Sequence, residues 1–160
     1  MEPAFPTTPH ADLEPLAFLL GTWKGVGRGE WAGGEPFRYG EEITFEHVGE
    51  PYLLYAQASW SSEDGSPVHF ERGFFRPAGP GRAELVLAHP LGIVEVAEGA
   101  VRGTTIDLGS TTVAFTTTGS PVTELRRRIE VDGDVLRYRL SMATADVPLA
   151  YHVQGQLTRA

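Results

Sequence analysis

The chain has 160 residues, with 13 Lys plus Arg against 21 Asp plus Glu, a formal net charge of −8 and no cysteine. That length suits one domain and buries enough surface to need no disulfide or structural metal for folding. The acidic balance excludes a nucleic-acid binder, whose phosphates must be met by clustered Lys and Arg. The missing cysteines exclude disulfides, thiol nucleophiles and thiolate metal sites.

Residues 1–10, which begin Met1-Glu2-Pro3-Ala4-Phe5-Pro6, carry neither the basic nor the apolar region of a signal peptide. They read as a flexible tail ahead of a single domain over 11–160. No run of about 18 apolar residues exists to cross a membrane. These features together predict a cytoplasmic protein with no membrane partner. Leu13, Leu16, Ala17 and Leu20 fall at the i, i+3, i+4, i+7 spacing of an apolar helical stripe. Asp12 or one of its neighbours is positioned to cap that helix and Gly21 to stop it, and a helix so short serves as a lid or plug.

From Gly21 onward the sequence alternates between strands and turns. Ile43–Val48 alternates apolar and polar residues. Gly49-Glu50-Pro51 breaks the pattern, and Tyr52–Trp60 resumes it. Asp64-Gly65 is a hairpin signal. Val68–Arg76, Ala83–His89 and Gly92–Ala97 follow between Gly- and Pro-rich breaks. Thr104–Thr118, rich in threonine and β-branched residues, predicts two strands. After these come Thr123–Val131, the turn Asp132-Gly133, Val135–Met142 and a last strand near Leu149–Thr158. On Val135–Met142 the residues Leu136, Tyr138, Leu140 and Met142 share one face. About nine or ten short strands without crossover helices make an all-β antiparallel barrel or sandwich.

Motifs that carry chemistry are few. Gly25-Val26-Gly27-Arg28-Gly29 lacks the strand–loop–helix context and the lysine of a phosphate loop. Glycines at alternate strand positions instead permit curvature or close backbone approach. Glu41 and Glu42 are neighbours on a strand and point to opposite faces, so they cannot divide acid and base roles. No Gly-x-Ser-x-Gly elbow is present. The one basic run, Arg126-Arg127-Arg128, splits across a strand, with Arg127 opposite the other two. His10 and His47 suggest no role. His69, His89 and His152 are far apart in sequence and show no zinc-site spacing. A single histidine with an open position opposite is what a haem protein requires, but strand alternation puts His152 on the face of Gln154 and Gln156, away from Val153 and Leu157.

Gly21-Thr22-Trp23-Lys24-Gly25-Val26-Gly27 resembles the Gly-x-Trp-x-Gly-x-Gly signature of the nitrobindin family. The similarity continues through Phe37–Glu42, His47-Val48-Gly49, Leu87–Pro90, Gly92–Val96, Met142 and Pro148–His152, nearly the whole chain after residue 13. It implies a ten-stranded up-and-down barrel, similar to lipocalins and fatty-acid-binding proteins, with a short N-terminal helix. It further implies ferric haem b as cofactor, reversible binding of nitric oxide, and haem-dependent isomerisation of peroxynitrite to nitrate. By this resemblance His152 matches the axial ligand of the haem iron and the catalytic position. Val68, His69, His89 and Met142 match positions lining the haem cavity.

One segment departs from the family. Its haem-binding members usually carry Tyr-Pro-Thr-Ile on a loop against the distal face, where this chain has Trp31-Ala32-Gly33-Gly34. Two other functions are therefore carried forward. One is a non-catalytic carrier of a fatty acid or another small apolar ligand, whose polar head would meet His69, His89 or Arg127. The other is a barrel filled by its own aromatic side chains that acts through its surface. The oligomeric state is open, a homodimer included.

Overall fold

Alternation of apolar and polar side chains becomes ten antiparallel strands in the computed structural model, which describes all 160 residues. They are β1 (Gly21–Gly29), β2 (Phe37–His47), β3 (Leu53–Ser61), β4 (Pro67–Pro77) and β5 (Arg82–His89). The second half is β6 (Ile93–Arg102), β7 (Thr105–Phe115), β8 (Val122–Asp132), β9 (Val135–Thr144) and β10 (Ala150–Arg159). Each strand pairs with its sequence neighbour, and β1 also pairs with β10, so the sheet closes into an up-and-down barrel without edges. No helix is long and apolar enough to cross a membrane.

Two local expectations are corrected. Thr104–Thr118 holds one strand, β7, because β6 continues past Ala97 to Arg102. A bulge at Val96/Ala97 re-phases β6, and Gly99, which reads as a breaker, sits where the β7 backbone passes too close for a side chain. The N-terminal helix, Ala11–Leu19, is a 3₁₀-helix. Its buried residues are Leu13, Leu16 and Leu19, a period of three, whereas Ala17 is exposed and Leu20 only partly buried. Pro15 removes an amide that an α-helical ladder would use. The cap is His10, whose Nδ1 accepts from the Asp12 amide at 3.1 Å.

This helix stops one end of the barrel. Its three leucines join Trp23, Phe45, Leu53 and Phe75 in the larger apolar cluster. The Trp23 indole N–H donates to the Leu19 carbonyl at 2.8 Å, and Arg159 stacks 4.1 Å over its ring. The Trp of the glycine signature is thus a clamp between plug and barrel wall. A smaller apolar cluster of Ile93, Val122, Leu125 and Leu140 lies towards the opposite end, where β6 and β8 begin.

Candidate functional site

The unplugged end opens into a cavity of about 260 Å³ lined by 26 residues, 18 of them hydrophobic, so its walls suit an apolar ligand. His152, Val68, His69, His89 and Met142 all line it, and Phe37, Leu91 and Ile93 complete its mouth. The five sequence-derived site residues therefore share one cavity, although they come from β4, β5, β9 and β10. His10 caps the helix instead, and His47 lies at the end of β2.

His152 reaches the cavity because β10 is irregular. Against β9, Tyr151 pairs with Ser141 and Val153 with Leu140, which leaves His152 as the extra residue of a bulge. Consecutive residues His152 and Val153 consequently both line the cavity. Strict alternation fails at this residue, and the resemblance rather than periodicity identified it. The His152 Nδ1–H donates to the Glu30 carbonyl at 2.9 Å, and the Glu30 amide donates back to the His152 carbonyl at 2.9 Å. That hydrogen bond fixes the tautomer and leaves Nε2 with a free lone pair. Burial holds the His152 pKa below its ordinary value; the Glu30 carbonyl opposes that shift and nearby His69 adds to it. Trp31 packs edge-on against the imidazole at 5.3 Å and Phe37 at 6.4 Å. The altered Trp31-Ala32-Gly33-Gly34 loop thus reaches the candidate ligand itself.

Beneath the apolar mouth lies a layer of buried polar side chains that sequence reading missed as a group. The Arg127 guanidinium grips Glu71 through Nη1–Oε2 and Nη2–Oε1, both 3.2 Å, and reaches Glu95 Oε1 at 2.5 Å. Tyr55 adds a hydrogen bond to Glu71 Oε2 at 3.2 Å, and His89 Nε2 lies 3.0 Å from Glu95 Oε1. Burial pushes the Glu71 carboxyl up, but Arg127, His69 and His89 hold it well below the carboxylate range. Glu95 is likewise held low, mainly by Arg127 against its burial. The splitting of Arg126-Arg127-Arg128 is confirmed: Arg126 and Arg128 pair with exposed acids outside the barrel. Alternation places Arg127 opposite its neighbours and on the apolar face of Leu125 and Ile129, but nothing in sequence showed that Glu71 and Glu95 would meet it there.

Across the barrel, Glu41 faces inward at 1% exposure while Glu42 pairs outside with Lys24 at 3.1 Å. Glu41 Oε2 accepts from the Gln57 amide at 3.1 Å, whereas its Oε1 and Gln57 Oε1 have no partner. Burial raises the Glu41 pKa from 4.5 to about 7, only partly offset by Gln57 and Tyr138. Tyr39 and Tyr138 share a 2.6 Å hydroxyl–hydroxyl bond beside it, and both phenols are pushed up by burial. Glycines make room here. A Cβ on Gly27 would lie 2.2 Å from the Tyr39 ring, and one on Gly155 would lie 2.6 Å from Glu41 Oε1.

Comparison with known proteins gives concordant matches. A family model described as THAP4-like, heme-binding beta-barrel domain matches residues 12–159. The chain is 46% identical over 158 residues to a protein of Mycobacterium avium named peroxynitrite isomerase 2, covering 96% of this chain and 98% of that one. It is 44% identical, with the same coverage, to the peroxynitrite isomerase 2 of Mycobacterium ulcerans. The crystal structure of Rv2717c from M. tuberculosis superposes with a TM-score of 0.89 at 39% identity, covering 96% of this chain and 99% of that one.

Proposed function

We propose, starting from the fact that this chain belongs to the THAP4-like, haem-binding β-barrel domain family, that it holds ferric haem b on His152, binds nitric oxide, and isomerises peroxynitrite to nitrate. The observation that carries this reading is the imidazole of His152. It is half-buried at a mostly apolar cavity, with Nδ1–H tied to the Glu30 carbonyl and Nε2 free. That is the state of a metal-ligating histidine before the metal arrives. The relatives named peroxynitrite isomerase 2 support the reaction assigned.

When bound, ferric haem would supply an iron able to bind nitric oxide or peroxynitrite, and conversion of the latter to nitrate is a rearrangement needing no net electrons or protons. The chain's own residues do the rest. His152 would hold the iron through its Nε2 lone pair, and the Glu30 carbonyl holds the ring in the ligating tautomer and raises its basicity. Trp31 and Phe37 brace the ring edge-on. The apolar walls formed by Val68, Leu91, Ile93 and Met142 keep bulk water from the reacting group.

The polar layer argues against the fatty-acid carrier. Two ionised carboxylates, Glu71 and Glu95, face one guanidinium that they already occupy. A ligand carboxylate descending to Arg127 would meet an excess of negative charge. A barrel filled by its own aromatics is disfavoured by the cavity itself.

Haem titration of the full chain, followed by absorbance with His152→Ala beside it, tests the proposal. A saturable one-to-one Soret shift in the wild type, lost in a cooperatively melting variant, is the expected result, with accelerated peroxynitrite decay by the loaded wild type. An unchanged haem spectrum in His152→Ala would overturn the axial assignment. No shift in folded wild type would overturn the haem reading.

A further inference from the structure

The barrel brings together a second set of metal-ligating atoms, two of them on histidines that the haem reading uses only as cavity lining. His69 and Glu71 lie two residues apart on β4 and both line the cavity. The β4–β5 register, with Arg72 opposite Ala88, continues to set Glu71 beside His89 at the end of β5. His69 Nε2 is 3.3 Å from Glu71 Oε1 and 3.3 Å from His89 Nδ1, and His89 Nδ1 is 3.7 Å from Glu71 Oε1.

We propose that His69, Glu71 and His89 form a binding site for one divalent transition-metal cation of the zinc class, distinct from His152 and opening into the same cavity.

The spacing suits coordination as well as hydrogen bonding. Ligands held at about 2.0–2.2 Å around a tetrahedral zinc lie about 3.3–3.5 Å apart, which two edges of the triangle match and the third exceeds slightly. Two imidazoles and one carboxylate are a zinc-type donor set rather than a calcium or magnesium one, and three protein ligands leave a fourth position for water or a small anion.

The surroundings meet the remaining requirements. His89 Nε2 lies 3.0 Å from Glu95 Oε1. With the proton on Nε2 and donated to that carboxylate, Nδ1 keeps its lone pair for the metal, the outer-shell arrangement that ligating histidines use. Charge points the same way. With both imidazoles neutral, Glu71 and Glu95 exceed the single cation Arg127 by one negative charge in a layer where Glu71 is 5% and Glu95 1% exposed. A bound divalent cation would turn that balance from −1 to +1, and a small anion in the fourth position would bring it to neutral.

This proposal does not rest on haem and is tested without it. Haem-free full-length chain is titrated with Co²⁺, followed by its visible d–d bands, and with Zn²⁺ by calorimetry. One equivalent should bind, with the intense absorption of four-coordinate cobalt. His69→Ala and His89→Ala should each weaken binding more than tenfold, and Glu95→Gln by about ten- to a hundredfold through the outer shell. His152→Ala should bind both metals as the wild type does, which separates this site from the haem ligand. Should a histidine variant fail to fold, anomalous diffraction at the cobalt edge from wild-type crystals decides the matter. A peak within about 2.3 Å of His69 Nε2, His89 Nδ1 and Glu71 Oε1 supports the site. No peak, a peak elsewhere, or binding unaffected by both histidine substitutions overturns it.

Discussion

Glu41 offers a quantitative test of the buried polar layer. It is 1% exposed, accepts one hydrogen bond from Gln57, and leaves Oε1 without a partner. Burial raises its pKa from 4.5 to about 7. The folded value thus lies above the unfolded one, so the folded state binds the extra proton between them. Stability falls as pH rises through that window and is flat above it. A separation of this size costs the folded protein about 3 kcal/mol at pH 8, at 1.36 kcal/mol per unit. Glu41→Gln removes the charge, keeps the shape, and offers an N–H donor near Gln57 Oε1. The variant should match the wild type near pH 4.5 and exceed it by up to about 3 kcal/mol at pH 8. Urea denaturation of haem-free protein at steps from pH 4.5 to 8 reads this difference, a midpoint shift of roughly 1 M if m is about 3 kcal/mol/M. A difference constant across the series, or a variant less stable at pH 8, would show that Glu41 is solvated in the folded state and refute the reasoning.

Arg127→Met leaves Glu71 and Glu95 buried without their cation, and should cost about 3–5 kcal/mol. Adding Glu71→Gln and Glu95→Gln should restore most of that loss, and a single variant within 1 kcal/mol of wild type in the same denaturation assay would sink the argument. Gly27→Ala drives a methyl to 2.2 Å from the Tyr39 ring, which displaces Tyr39 from Tyr138 and should cost about 1–3 kcal/mol. At about 2–4 °C per kcal/mol for a chain of this size, calorimetry should find Tm lowered by several degrees, with Gly27→Ala/Tyr39→Leu less affected than Gly27→Ala alone. Equal losses in both would remove Tyr39 as the reason for the glycine.

The fold was legible because a closed up-and-down barrel is built from local signals. Each strand pairs with its sequence neighbour, so alternation plus turn residues suffices to order it. What misled were residues whose local meaning changes with their neighbours. Leu13, Leu16 and Leu19 fit a period of three as well as they fit an α-helical stripe, and Pro15 decides between them. Gly99 reads as a break, yet it is an interior strand position opposite a backbone that comes too close for a side chain. The polar layer was illegible for a different reason. Glu41 alternates with Ile43 and Phe45, and Arg127 with Leu125 and Ile129, so each charge stands on an apolar face with no partner visible in its own strand. Only closure of the barrel, which joins β2, β4, β6 and β8 around one axis, makes them partners.

His152 shows why the site was harder to read than the barrel. Alternation from Gln154 and Gln156 sends its ring outside, and it lines the cavity because the ladder slips by one residue between Tyr151 and Val153. The slip is held by the loop after β1. Glu30 exchanges two hydrogen bonds with His152, one through each backbone carbonyl, and Gly29 lets that loop approach, since a Cβ there would lie 2.9 Å from the His152 carbonyl oxygen. The same contact that stabilises the bulge also fixes the imidazole tautomer. Position and protonation of the candidate ligand are therefore one structural decision, taken between β1 and β10, strands whose centres are about 130 residues apart in sequence yet adjacent in the barrel. No window of sequence contains both halves of it.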